Sequence, residues 1–308
     1  MEEKQGRVIL AELSLLVLAM IWGGTFVAAK IALEGFDPYW IMALRFALGS
    51  GLLFLLRPGD CLKVDAYTLR AGGEVGLLLG LGVAFQMIGL QYTTPAQQSF
   101  IVVTYVITVP LMEWFLDKKY PGNLTLISAI LAFMGVGFLS LKKGFAIQLG
   151  DFLTLVYALL LAFQMIRVGR HANQVSSAIG FTFIQLLAAG AISLALALGK
   201  SQTFFVGQPG WPSWAALIYL ALLNTALAYV LQNFGQKYAR PSNVALILST
   251  EVLFGALAAY FITQENFTPK KIIGCVLIFT AILISQVGQK ALKAKQDPKG
   301  PGSAGLDG

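Results

Sequence analysis

Stretches of eighteen or more residues with almost no charge recur from one end of this chain to the other, and nothing else in the sequence constrains its fold so tightly. At 1.5 Å per helical residue, each is long enough to cross a hydrocarbon core of about 30 Å. Hydrocarbon offers no partner to backbone N–H and C=O groups, so such stretches must be helices that satisfy their own hydrogen bonds. Ten spans are expected, at 8–31, 38–56, 71–91, 96–116, 122–141, 150–168, 176–198, 213–235, 242–263 and 269–288. The longest links, 57–70 and 199–212, leave no room for a soluble catalytic domain. Of the 308 residues 57% are hydrophobic and 12% charged, about half the charged share of an ordinary soluble domain. The expected class is an all-α integral membrane protein that works inside the lipid bilayer.

A net charge of +7 would suggest nucleic acid as the partner of a soluble protein. Here the distribution of Lys and Arg between loops reports orientation instead, and no nucleic-acid partner is expected. With the N-terminus in the cytoplasm, fifteen cations fall on the cytoplasmic side. Six, Lys30, Lys142, Lys143, Lys200, Lys270 and Lys271, fall on the other, and Arg45 lies inside a span. Both termini are therefore expected to be cytoplasmic, with 289–308 a disordered tail. The first apolar run lacks a small-residue cleavage site and reads as a retained span. Cys61 and Cys275 fall in a loop and a span, so no disulfide is expected. His171 has no Cys, Asp or Glu at ligand spacing and reads as a solvated loop residue. No metal or cofactor is expected.

Shifting the chain by 146 places aligns Gly89–Phe115 with Gly235–Phe261, with identities at Gly89/Gly235, Tyr92/Tyr238, Pro95/Pro241, Ile101/Ile247, Thr104/Thr250, Val106/Val252, Leu111/Leu257 and Phe115/Phe261. The shared G-x-x-Y-x-x-P frame at a loop is the specific part. The shift carries span 3 onto span 8, so the unit is five spans, 8–141 and then 150–288. An odd unit placed twice enters the membrane from opposite sides, and the halves are expected to be inverted. That architecture recurs in secondary transporters, whose substrate site lies near the midplane between the halves.

The segments "WGGTFVAAKIAL", "PYWIMALRFALGSGLL", "GLQYTTPAQQSFIVVTYVITVPLMEWFLDKKYP", "LGDFLTLVYALLLAFQM" and "STEVLFGALAAYFITQENFTPKKIIGCVLIFTAILI" together resemble the EamA-type branch of the drug/metabolite transporter superfamily, over residues 8–288. The resemblance implies ten transmembrane helices in two inverted five-helix repeats and a central cavity. It also implies transport of small metabolites, often export, across the bacterial inner membrane. Two departures stand out. Val252 replaces the proline that follows the glutamate in many members, and Asp117, Lys118 and Lys119 replace the usual glutamate after span 4.

An ionisable residue deep in a span is costly and is a functional candidate by default. Glu251 lies ten residues past Pro241, about 15 Å along the helix. It could bind the coupling proton, or serve as a structural glutamate hydrogen-bonded to a neighbouring helix. Arg45 lies seven residues past Pro38. It could pair with a carboxylate substrate or with Glu251, or snorkel to the outer interface, and a structural or gating role is favoured. Uncharged polar residues recur at helical spacing: Trp22 and Thr25 with Ser14; Thr104 with Gln97 and Thr108, beside Tyr105; Tyr157 with Gln164; Asn224 with Ala228 and Gln232; and Gln86 alone. Converging from several helices, they suit a cavity for a small polar or amphipathic solute such as an amino acid. Each singly would equally serve as an interhelical hydrogen bond. Gly72, Gly76 and Gly80 form a packing stripe, and the pair Gly23 and Gly24 reads as a hinge of helix 1 or as a packing notch. A sensor or assembly protein without turnover is the rival reading. A membrane-embedded enzyme lacks the clustered histidines and carboxylates it would need, and a primary pump lacks a G-x-x-x-x-G-K-[ST] loop.

Overall fold

The computed structural model describes residues 2–118, 120–140, 148–200, 203–239, 241–264 and 268–296. Helix occupies every expected stretch: α1 (Glu2–Ala32), α2 (Pro38–Leu56), the short α3 (Pro58–Leu62), α4 (Ala66–Leu90), α5 (Pro95–Val102), α6 (Tyr105–Asp117), α7 (Asn123–Ser140), α8 (Leu149–His171), α9 (Ala178–Gly199), α10 (Trp211–Ala221), a π-helical segment (Leu222–Leu227), α11 (Ala228–Tyr238), α12 (Pro241–Leu248), α13 (Glu251–Ile262) and α14 (Pro269–Gln296). Seven of the described helical stretches are long and apolar enough to cross a membrane, counting 95–117 and 211–238 as one each, and three apolar stretches are shorter.

Helix starts follow from local chemistry. Asp37 accepts from the Tyr39 N–H at 2.9 Å ahead of Pro38, and Thr94 accepts from the Gln97 N–H at 3.3 Å ahead of Pro95. Each side chain satisfies an N–H the first turn leaves open, and each proline sits where no N–H is needed. Asp65 caps α4 at Thr68, so α4 starts at Ala66 rather than at the expected 71. Hydroxyl and amide donors of Thr68, with the Ser176 hydroxyl, hold the Asp65 carboxyl below its ordinary pKa. α14 runs to Gln296, past the expected end at 288, because "QKALKAKQ" is rich in strong helix formers. The rest of the expected tail, 297–308, and the Lys142–Lys143 pair lie outside the described residues.

Two spans are interrupted, and the interruptions lie 146 residues apart. α5 gives way to α6 at Val103–Thr104, and α12 to α13 at Ser249–Thr250. The device is the same in both. The Thr104 hydroxyl donates to the Ile101 carbonyl at 2.7 Å and the Thr250 hydroxyl to the Ile247 carbonyl at 2.8 Å. A hydroxyl bonded back to its own helix competes with the backbone ladder and bends it. Tyr105 and Glu251 each follow such a break as the first residue of the next helix.

The halves interlock. α1 packs against α10, α11 and α13, α4 against α8 and α9, and α2 against α9, while α7 and α14 pair with each other. Gly72, Gly76 and Gly80 face Ile184, Ala188 and Ala189 of α9, as a packing stripe should. Outward faces carry Leu55, Phe133, Phe115 and Phe261, all strongly exposed, the surface a hydrocarbon solvent would cover. Among the described residues a large apolar core is flanked by two small clusters, one around Val75 and Phe181 and one around Val27 and Ala259.

Candidate functional site

Within the bundle lies a small chamber lined by the buried residues Trp22, Thr25 and Phe26 of α1, Arg45 of α2, Gln86 of α4, Tyr157 of α8, Asn224 of the π segment, Tyr229 of α11 and Glu251 of α13. Its cavity volume is about 10 Å³, room for about one water molecule. Trp22 meets Tyr229 edge to face, with ring centroids 5.8 Å apart.

Arg45 organises one wall. Only 1% of it is exposed, so it does not snorkel. Its Nε donates to the Thr225 Oγ1 at 2.9 Å and its Nη2 to the Asn224 Oδ1. Asn224 in turn donates through Nδ2 to the Thr25 Oγ1. The π segment makes this possible by turning the consecutive residues Asn224 and Thr225 towards one guanidinium. The Thr225 hydroxyl donates to the Leu220 carbonyl, five residues back, at 2.7 Å. Such π segments are frequent at functional sites. The third guanidinium nitrogen, Nη1, is buried and has no hydrogen-bond partner among the described residues.

Glu251 lies on another wall, 2% exposed. Its polar neighbour is the Tyr105 hydroxyl, which falls short of hydrogen-bond geometry and has no other partner among the described residues. No salt bridge joins Glu251 to Arg45 among the described residues. One cation and one carboxyl thus line the same chamber without touching.

The chamber gathers Trp22, Thr25, Gln86, Tyr157 and Asn224, with Arg45 and Glu251, and Tyr105 adjoins it. Other expected residues sit elsewhere. Gln164 and Gln232 hydrogen-bond each other, with N···O distances of 3.3 and 3.1 Å, and tie α8 to α11. Thr104 borders a lateral apolar cleft of about 370 Å³ between α6, α7 and α8. Ser14 donates to the Ala11 carbonyl of its own helix. Gly23 meets Phe254 and the Glu251 carbonyl, and Gly24 faces the Tyr219 hydroxyl, which itself donates to the Ile21 carbonyl at 2.6 Å. Both glycines are therefore close-packing points of α1.

Tyr229, Phe26 and Thr225 were not singled out from the sequence. In a regular α-helix Asn224 and Gln232 share a stripe and Tyr229 faces away, and the π segment changes that register. Asp151 was also missed. Fully buried, it accepts from the Thr93 hydroxyl at 2.8 Å and from Gln97 Nε2 at 2.7 Å, and so anchors the start of α8 to the α4–α5 turn.

Each end of the bundle carries its own set of contacts. At the end carrying the α1–α2 turn, Asp37 N–H donates to the Phe204 carbonyl at 3.3 Å and Val206 N–H to the Gly35 carbonyl at 3.2 Å. There Phe36, wholly buried, packs against Phe204, Phe205 and Trp214. At the opposite end Arg167 and Arg170 of α8 pair with Glu74 and Asp117. His171 corrects the expectation of a solvated loop residue. α8 continues three residues beyond the expected 168, which places His171 Nε2 3.3 Å from Glu74 Oε2 and its Nδ1 2.8 Å from the Tyr67 hydroxyl. Among the described residues no group of His, Cys, Asp and Glu could hold a metal.

Apolar helices packed around a buried polar chamber make this a multi-pass membrane protein. The chain belongs to the EamA-like transporter family, which it matches over residues 9–141 and 148–286, within the drug/metabolite transporter superfamily. A protein of Archaeoglobus fulgidus named "Uncharacterized transporter" is 32% identical over 274 residues, covering 89% of this chain and 85% of that one. The "Probable amino-acid metabolite efflux pump" of Escherichia coli K12 is 26% identical, covering 91% of this chain and 95% of its own length. A solved crystal structure superposes with a TM-score of 0.67 over 92% of this chain and 98% of the other, at 16% identity, a likeness of fold alone.

Proposed function

We propose that this protein is a secondary carrier that exports a small organic metabolite, an amino acid or related amphipathic compound, across a bacterial inner membrane by alternating access. The observation that carries the reading is the chamber. Side chains from seven helical segments of both halves converge on one buried point, and they include Arg45, Glu251 and a tryptophan. Two further features support it. The helix breaks recur 146 residues apart, as two copies of one five-helix unit would have them, and in this reading the units are inverted with both termini cytoplasmic. The two ends carry different contacts, hydrogen bonds and packed rings at one and ion pairs at the other, so either could open alone. The efflux assignment of the Escherichia coli relative favours export.

In this scheme Trp22, Thr25, Gln86, Tyr157 and Asn224 touch the solute and Tyr105 adjoins it, while Thr104, Gln164 and Gln232 brace the helices behind. Glu251 carries the coupling proton, Arg45 holds the π segment in register, and Gly23 and Gly24 let α1 move against α13 as the halves rock. The test is uphill transport in proteoliposomes with and without a pH gradient. Wild-type protein is expected to concentrate its solute only with the gradient, and Glu251→Gln to equilibrate it without concentrating it. Full uphill transport by Glu251→Gln refutes proton coupling, and absence of transport by the wild-type protein across a metabolite library refutes the carrier reading.

A further inference from the structure

We propose that Arg45 is itself part of the binding site and takes a carboxylate group of the solute on its free Nη1 edge. The inference rests on the carrier reading above and names the chemistry its solute must carry. Arginine stays protonated in proteins, so the guanidinium in this chamber is a permanent cation. A buried cation is tolerated when it is paired and its donors are satisfied. Here Thr225 and Asn224 satisfy Nε and Nη2 with neutral oxygens, which fixes the plane of the guanidinium without cancelling its charge. Nη1 remains buried and unpartnered on a residue that lines the chamber. Glu251, the carboxyl group of the chamber lining, makes no salt bridge with it among the described residues.

What completes this arrangement is an acceptor with one negative charge, delivered into the chamber when it opens. A carboxylate fits, because its oxygens accept charge-assisted N–H bonds at little geometric cost. A phosphate monoester, with a charge close to −2, would leave a second buried charge unbalanced against a single guanidinium. The rest of the wall, Trp22, Phe26, Tyr157 and Tyr229, is aromatic and offers contact to an apolar body.

The test loads proteoliposomes against a metabolite library that includes matched pairs of acids and their carboxamides, and reads the internal contents by mass spectrometry. Transported compounds are expected to carry a carboxylate, and each acid to be moved at least roughly tenfold better than its amide. Arg45→Gln is expected to abolish that preference and Arg45→Lys to keep it. Asn224→Asp supplies an internal carboxylate to the same guanidinium without changing side-chain size. It guards against an Arg45→Gln protein that fails to fold, and is expected to lose acids selectively. Transported compounds without any anionic group, or an acid preference that survives in Asn224→Asp, overturn the assignment and leave the carrier reading standing. A library from which nothing is moved overturns both.

Discussion

Replacing Asn224 by alanine removes the link between Arg45 and α1, and the structure sets how much that should cost. Asn224 makes two side-chain bonds: it accepts from Arg45 Nη2 and donates to Thr25. A hydrogen bond to a charged partner is worth about 1.5–3 kcal/mol, and a neutral one inside a membrane protein averages about 0.6 kcal/mol. Alanine also leaves Nη2 beside the already unpartnered Nη1, so most of the guanidinium loses its acceptors. The expected loss of stability is therefore about 2–3.5 kcal/mol. Denaturant titration in mixed micelles, followed by tryptophan fluorescence, measures it. The double variant with Arg45→Met should recover about 1.5–3 kcal/mol of that loss, because removing both partners leaves no orphaned charge. A loss below about 0.5 kcal/mol for Asn224→Ala, or no recovery in the double variant, would show that the guanidinium does not hold the π segment as described.

Gly23→Ala would place a Cβ against Phe254 and 2.9 Å from the Glu251 carbonyl oxygen; overpacking of this kind costs about 1–3 kcal/mol, so thermal stability should fall, whereas Gly51→Ala, with open space around it, should not lower it. Gly23→Ala with unchanged stability and unchanged transport would remove both the packing and the hinge reading of the pair. Phe36→Ala, at a wholly buried ring between Phe204, Phe205 and Trp214, is expected to cost about 3–5 kcal/mol and to raise thiol labelling of cysteines introduced into the chamber from that end. Unaltered labelling would mean that the aromatic cluster does not close the end.

The helices were legible because hydrocarbon leaves the backbone one solution. The 146-residue shift marked Thr104 and Thr250 as equivalent before their shared role at the helix breaks was visible. The chamber was legible in part. Arg45 and Glu251 stood out by their cost in an apolar run, and Trp22, Thr25, Gln86, Tyr157 and Asn224 by polarity. Sequence periodicity assumes a regular turn, and the π segment at Leu222–Leu227 breaks that assumption. It parts Asn224 from Gln232, recruits Thr225 and brings Tyr229 to the chamber. Gln164 looked like a binding residue on the same grounds as Tyr157. Only the position of Gln232 shows that it is paired. His171 was misplaced by three residues of helix length, enough to turn a loop residue into one that bridges α4 and α8.

The central claim is that the chamber opens in turn to both sides of the membrane. A cysteine in place of Gln86, in protein with Cys61 and Cys275 replaced by serine, reports this directly through its reaction with a charged, membrane-impermeant thiol reagent. The account predicts that oriented vesicles are labelled when reagent is added to either face, and that the transported solute slows both reactions. Labelling from one face only, or from neither, in protein that still transports would contradict it.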